Sequence, residues 1–165
     1  MRNRPMKKTV LNLIFSFFAV SALQAQAVEM RPVMTLDLAK KMALACEEKA
    51  IQEGWKLNIA IMDNGGNLVY FERMDRAFLK SIDIAILKAE TSAGFPFSTK
   101  VLEEIAATRV PGIAHVPGIA TFEGGLPVKT ASGEHIGSIG VSGAKAHEDG
   151  ICAQAAIDAV AEDLK

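Results

Sequence analysis

The 165-residue chain lacks the motifs that mark several common classes of enzyme. It has no His-Glu-x-x-His motif, no Ser-His-Asp order and no pair of carboxylates at a catalytic spacing. It has only three histidines, so few imidazoles are available to ligate a metal. Hydrolase chemistry therefore has no support in the sequence.

Positive charge is scarce once the N-terminal segment is set aside. Residues 1–27 hold four of the 18 basic residues and no acidic residue, which leaves 14 basic against 19 acidic residues and a formal charge of −5. This balance excludes nucleic acid as an expected partner. Gly137, Gly140 and Gly143 lie largely within a predicted strand instead of at a strand-to-helix turn, so they are not a dinucleotide fingerprint.

The N-terminal segment has the pattern of a secretory signal peptide. Four basic residues precede an apolar run at 10–20, and Ala25-Gln26-Ala27 supplies a small-x-small cleavage pattern. We therefore predict a signal peptide at 1–27 and one domain at 28–165, exported to the periplasm or secreted. No later apolar segment is long enough to span a bilayer, so no membrane association is expected after cleavage.

Hydrophobic periodicity predicts an α+β domain. A helix, a hairpin, two helices, a second hairpin and a final helix are expected in that order, at 35–53, 57–73, 81–93, 98–107, 124–143 and 147–164. Residues 110–118 read as a proline-bracketed loop with a short extended piece at 113–116. Because hairpins make antiparallel neighbours, the expected sheet is antiparallel, with helices packed on its faces. The helix predicted at 81–93 is apolar on nearly all sides, so it should lie between other layers of the structure. A contact with another subunit is one way to cover its outer side.

The last predicted strand has one face that is almost without bulk. Gly137, Ile139 and Val141 alternate with a second set of mostly small residues, namely Ile136, Ser138, Gly140 and Ser142. Small residues in a strand let another element approach the backbone closely. Close packing by a helix and a sheet that holds a ligand both fit this pattern.

Four ordered segments resemble the GlcG/HbpS family of haem-binding proteins: Arg73-Met74-Asp75, 81–91, 124–128 and 137–143. The resemblance implies a profilin-like three-layer domain, with a central antiparallel sheet and helices on both faces. It also implies homo-oligomers, haem or a related tetrapyrrole as ligand, and kinship with the C-terminal domain of PduO-type cobalamin adenosyltransferases. Two positions depart from the family pattern: Arg76 stands where glycine is usual, and Ala-Lys-Ala-His at 144–147 replaces a glycine-containing, acidic or amide-rich linker.

Haem requires an axial donor, for which the chain offers three imidazoles. His115 is the leading candidate, because it lies in an apolar loop, and His147 is a weaker one, expected at the N-cap of the last helix. His135 reads as a solvated turn residue. Met74 could also ligate iron, although packing is the commoner role of such a methionine.

Carboxylate recognition could use Arg73 and Lys88, with Asp75 holding Arg73 in place. This trio would suit haem propionates or a small carboxylated substrate, and a structural ion pair is the alternative. The turn at Gly124 and Gly125 completes the expected ligand-binding set.

The two cysteines form a candidate disulfide. Cys46 and Cys152 fall on the apolar stripes of the first and last helices, which can lie side by side in a layered fold of the implied kind. An oxidising compartment would favour the bridge, whereas two buried free thiols are the alternative.

Three functions remain open from the sequence. The first is an exported haem or tetrapyrrole binder, with or without slow haem degradation. The second is a small-molecule lyase or isomerase acting on a carboxylated substrate, and the third is a non-catalytic assembly or sensor-accessory protein. Whether the chain is an enzyme is undecided at this point.

Overall fold

A computed structural model describes residues 29–165. Its elements, in chain order, are α1 Leu36–Glu53, β1 Asn58–Asp63, β2 Leu68–Arg73, α2 Ser81–Gly94, α3 Thr99–Thr108, a 3-10 helix at Pro111–His115, β3 Gly125–Lys129, β4 His135–Ser142 and α4 Ala146–Ala159. The signal peptide and cleavage site predicted at 1–27 lie outside these residues. No helix within 29–165 is long and apolar enough to cross a membrane.

The first helix begins and ends where its sequence predicts. The Thr35 hydroxyl accepts a hydrogen bond from the Leu38 N–H, and the chain leaves the helix at Gly54, whose φ of 77° suits glycine. Ser98 caps α3 in the same way, since its hydroxyl accepts from the N–H of Val101. These local signals set where the helices start.

The four strands form an antiparallel sheet in the order β2-β1-β4-β3. One face carries branched side chains that pack against α1 and α4, namely Ile59, Ile61, Val128, Ile139 and Val141. On the other face, Ala60 and Met62 pack against the alanines of α2. The sheet therefore lies between two helical layers, and the three-layer α+β fold expected from the sequence is confirmed.

Helix α2 covers the face of β4 that carries small residues. A Cβ atom at Gly140 would collide with the carbonyl oxygen of Ala85 and the amide nitrogen of Ala89. The Ser138 hydroxyl donates to the Ala89 carbonyl over 2.7 Å, so the small residues also anchor the helix. Close helix packing, one of the two readings of this strand, is what the structure has.

The prediction for Ile136 was wrong, because a bulge changes the alternation at the start of β4. Lys129 pairs with His135 while Val128 pairs with Gly137, so Ile136 is an extra residue in the ladder. Its side chain joins the core beneath α1 and α4 instead of the small-residue face.

Two further segments differ from their predictions. Residues 111–115 form a 3-10 helix, closed by hydrogen bonds such as that from the Val116 N–H to the Ile113 carbonyl, where an extended piece was expected. Helix α4 ends at Ala159, and tighter bonds between residues three apart turn the chain over 160–164.

Helices α1 and α4 lie side by side and are joined by a disulfide. The sulfur atoms of Cys46 and Cys152 are bonded, and their Cα atoms are 4.9 Å apart. The bridge joins positions 106 residues apart and ties the two ends of the described chain into one layer.

Candidate functional site

Lys88 is a charged side chain at the centre of the fold. It projects from α2, is 1% exposed, and donates from Nζ to Asp149 Oδ2 over 2.7 Å and to the Val141 carbonyl over 2.9 Å. The ring of Phe122 lies 4.9 Å from Nζ on a further side. An ammonium has three N–H donors, so two are used by oxygen atoms and the third is left to the aromatic face and the cavity beside it.

Asp149, in the first turns of α4, is held as firmly as its partner. Its Oδ1 accepts from the Ala144 N–H over 3.0 Å, so both carboxylate oxygens are engaged. Burial raises the pKa of Asp149 and lowers the pKa of Lys88, and each shift is partly offset by the opposite charge of the other group. Proton transfer from Nζ to Oδ2 therefore costs less here than it would in water.

Two glycines make room for the lysine. Gly124 has a φ of +128°, and a Cβ there would lie 2.5 Å from Lys88 Nζ and 2.7 Å from the Val141 carbonyl oxygen. A Cβ at Gly125 would lie 2.5 Å from the Lys88 carbonyl oxygen. The structure thus brings together Lys88, Gly124 and Gly125 from the set expected by sequence.

A cavity of about 210 Å³ opens beside the Lys88 and Asp149 pair. Its other lining residues are Phe78, Ser81, Ile84, Phe122, Ser142, Gly143, Ala144 and Ala146. A second depression of about 420 Å³ shares Phe78, Gly143 and Ala144 with it, so the two are neighbours. The second depression adds Trp55, Glu148 and three cations, Lys56, Arg76 and Lys145, which we call the basic rim; Lys145 is ion-paired with Glu148.

Arg73 and Asp75 lie elsewhere. They line a different depression, beside Glu47 and Glu72, and the Arg73 guanidinium makes a long hydrogen bond of 3.5 Å to the Ala77 carbonyl. Within residues 29–165 no ion pair joins Arg73 to Asp75, and neither residue lines the cavity beside Lys88. The expected trio of Arg73, Asp75 and Lys88 is therefore not assembled.

The imidazoles occupy three different settings. His115 is exposed on the 3-10 helix and lines neither the cavity nor the basic-rimmed depression. His147 is exposed in the first turn of α4, two residues beyond the N-cap Lys145, so its predicted place at the cap was wrong. It stands between Ala146, which lines the cavity, and Glu148, which lines the depression.

His135 and Met74 have structural settings. The Nε2 atom of His135 is buried without a hydrogen-bond partner in the described chain, and burial lowers the pKa of this imidazole. Met74 is buried, and its sulfur accepts a hydrogen bond from the Leu57 N–H, which fits a packing role.

Sequence reasoning missed Asp149 and Phe122. Asp149 had a recognisable signal, because it lies on the same stripe of α4 as Cys152, Ala153 and Ala156, where a charge requires a partner. Phe122 had no such signal, since its position over Lys88 depends on the loop before β3.

The comparisons with known proteins identify the family. A family model described as haem degrading protein HbpS-like matches residues 34–158. The chain belongs to the HbpS-like family. It is 37% identical over 136 residues to a 15.0 kDa protein from the dhaT-dhaS intergenic region of Citrobacter freundii, covering 78% of this chain and 93% of that relative. It is 32% identical over 110 residues to the protein GlcG of Escherichia coli K12, covering 67% of this chain and 81% of GlcG.

Solved structures agree with this assignment. The ORFY protein of Klebsiella pneumoniae has a TM-score of 0.76 at 31% identity, covering 81% of this chain and 94% of ORFY. A double mutant of HbpS from Streptomyces reticuli has a TM-score of 0.75 at 29% identity, covering 93% and 97%. PduOC, solved as a complex with haem, has a TM-score of 0.72 at 28% identity, covering 78% and 95%.

Proposed function

We propose that this HbpS-like protein binds haem or a related tetrapyrrole on the surface formed by Phe78 and the basic rim. The observation that carries the proposal is a large exposed aromatic side chain directly beside three cations. Phe78 is 69% exposed and lines both the cavity and the depression. Family membership and the haem complex of the relative PduOC support the same ligand class.

The residues of this surface fit the chemistry of a porphyrin. Phe78 and Trp55 offer apolar faces for the flat macrocycle, and Lys56, Arg76 and Lys145 offer donors for its two propionates. When bound, haem would supply an iron centre, and the protein would supply the apolar surface, the counter-charges and an axial donor.

His147 is the axial donor that this surface favours. Neither imidazole itself lines the cavity or the depression, but both sequence neighbours of His147 do, whereas neither neighbour of His115, the leading candidate by sequence, lines either one. Titration of the purified protein with haemin should give a saturable Soret shift, and His147→Ala should lose or displace it while His115→Ala retains it. Loss in the His115 variant alone would reassign the ligand, and no shift in the unmodified protein would refute haem binding.

We also propose that the protein slowly degrades bound haem, which can be tested on the haemin-loaded protein from the titration. After addition of a mild reductant in air, turnover predicts a steady loss of Soret absorbance that depends on bound protein. A Soret band as stable as that of a haem-binding protein without turnover would make this chain a binder only.

We also propose export after cleavage at Ala27, on the signal pattern of residues 1–27. N-terminal sequencing of the exported protein should begin at Val28. Recovery of the full-length chain in the membrane fraction would contradict this assignment.

We propose that the chain assembles into homo-oligomers through apolar residues around the start of α2, which are exposed before the helix and half-buried within it. Leu79 is 71% exposed, next to Phe78, and Ile84 is half-buried one turn into the helix. Light scattering coupled to size-exclusion chromatography should report more than one subunit, and Leu79→Lys should lower that number. A monomer at all concentrations would refute the proposal.

A further inference from the structure

We propose that Lys88 is a reactive amine that forms an imine with a small aldehyde or ketone bound in the adjoining cavity. This activity is distinct from haem binding and does not depend on it. It would give the Lys88 and Asp149 pair a chemical role in addition to its structural one, and it would account for the cavity that opens beside Lys88 Nζ.

The cavity combines a mostly apolar lining with two hydroxyl groups, which suits a small molecule that carries one polar group. Two serine side chains, Ser81 and Ser142, are 7% and 5% exposed and line it. Both residues carry a hydroxyl group, which is a hydrogen-bond donor and acceptor for a ligand in the cavity. A carbonyl oxygen accepts hydrogen bonds from hydroxyl groups, and a space of about 210 Å³ suits a molecule of a few heavy atoms.

Asp149 supplies the proton transfers that imine formation needs. It first takes a proton from the Lys88 ammonium across the 2.7 Å hydrogen bond. The neutral nitrogen then forms a C–N bond to the carbonyl carbon, the carbonyl π electrons move to the oxygen, and an N–H proton follows to give a carbinolamine. Protonated Asp149 returns its proton to the hydroxyl, water leaves, and the nitrogen lone pair completes the C=N bond of a protonated imine.

The charges balance throughout this sequence. One positive charge on the ammonium becomes one positive charge on the iminium, the carboxylate is restored, and one water molecule is released. The burial that lowers the pKa of Lys88 and raises that of Asp149 favours the first step, and lysines desolvated in this way are known nucleophiles in other folds.

Phe122 controls access to the amine. Its ring lies 4.9 Å from Nζ and also lines the cavity, so a ligand must displace it or pass beside it. Residue 122 is 37% exposed, which leaves it room to move outward.

The test is reductive trapping with acetaldehyde and sodium cyanoborohydride near neutral pH, in protein free of haem, followed by peptide mapping. Lys88 should be ethylated several-fold faster than the exposed Lys80, because burial leaves a larger fraction of its amine neutral. Lys80 precedes α2, is 87% exposed and is paired with Asp83, so it is an exposed, ion-paired reference for the buried, ion-paired Lys88. Labelling of Lys80 with Lys88 unmodified would overturn the proposal, whatever the result of the haemin titration.

Phe122→Leu provides the second arm and does not remove the amine. It should speed the labelling of Lys88 several-fold and leave the labelling of Lys80 unchanged. An unchanged Lys88 rate would show that the cavity is not the route to the amine and would also overturn the proposal. Far-UV circular dichroism of the variant verifies that it is folded.

Discussion

Replacement of Gly124 by alanine tests whether the backbone before β3 is shaped around Lys88. The new Cβ would lie 2.5 Å from Nζ, 2.7 Å from the Val141 carbonyl oxygen and 2.9 Å from the Asp149 Cβ. All three atoms belong to buried groups that cannot move without disturbing the sheet or the ion pair. The variant should therefore lose both stability and the hydrogen bonds of Lys88.

The cost has two parts that a control can separate. A non-glycine residue at positive φ costs about 1–2 kcal/mol, and overpacking a filled site costs about 1–3 kcal/mol more. Gly133→Ala is the matched control, because Gly133 has a φ of +87° and no atom within 4 Å of the position of its Cβ. The control should lose about 1–2 kcal/mol, the strain alone, and Gly124→Ala about 3 kcal/mol.

Urea unfolding followed by the fluorescence of Trp55, the single tryptophan of the chain, measures both losses. Equal losses for the two variants would refute the reasoning, since they would show that the space at Gly124 is not filled as described. A double-mutant cycle with Lys88→Met should also show coupling of about 0.5–3 kcal/mol.

Three other predictions follow from the structure. Arg76 has a φ of +67°, so Arg76→Gly should raise the free energy of unfolding by about 1 kcal/mol, and a loss of stability would contradict this strain. Burial lowers the pKa of His135 below its ordinary value of 6.5, so the unfolded chain binds the proton more tightly than the folded chain does. The free energy of unfolding should therefore fall as the pH is lowered from 6.5 towards the pKa of the folded state. His135→Gln should reduce this pH dependence, whereas His147→Gln should not. Alkylation of the non-reduced protein should find no free thiol at Cys46 or Cys152, and two alkylated thiols would contradict the bridge. The bond closes a loop spanning 106 positions, so its reduction should lower the free energy of unfolding by up to about 4 kcal/mol.

Sequence patterns located the elements of this fold because their signals are local. The Thr35 cap and the Gly54 stop act within a few residues, and alternation in β1 needs no knowledge of the rest of the chain. Ile136 was misplaced because a bulge depends on the pairing partner, here β3, and period-two alternation cannot register an extra residue.

The site was only partly predictable, because its key contact is long-range. Lys88 and Asp149 are 61 residues apart, and no spacing rule links a lysine on one helix to a carboxylate on another past the end of strand β4. Arg73 and Lys88 were grouped as cations of the same kind, but β2 and α2 place them on different depressions. Arg76, which stands where the resemblance led us to expect glycine, adopts a positive φ, the backbone conformation that favours glycine.

The most direct test of the haem proposal is the affinity for haemin of a charge-reversed basic rim. In Arg76→Glu/Lys145→Glu, each lost charge-assisted hydrogen bond to a propionate is worth about 1.5–3 kcal/mol, so affinity should fall tenfold or more. The control is Lys40→Glu/Lys129→Glu, which changes net charge equally at two exposed lysines outside the rim and should bind haemin like the unmodified protein. Equal affinity in the two double variants would contradict the placement of the ligand on this surface.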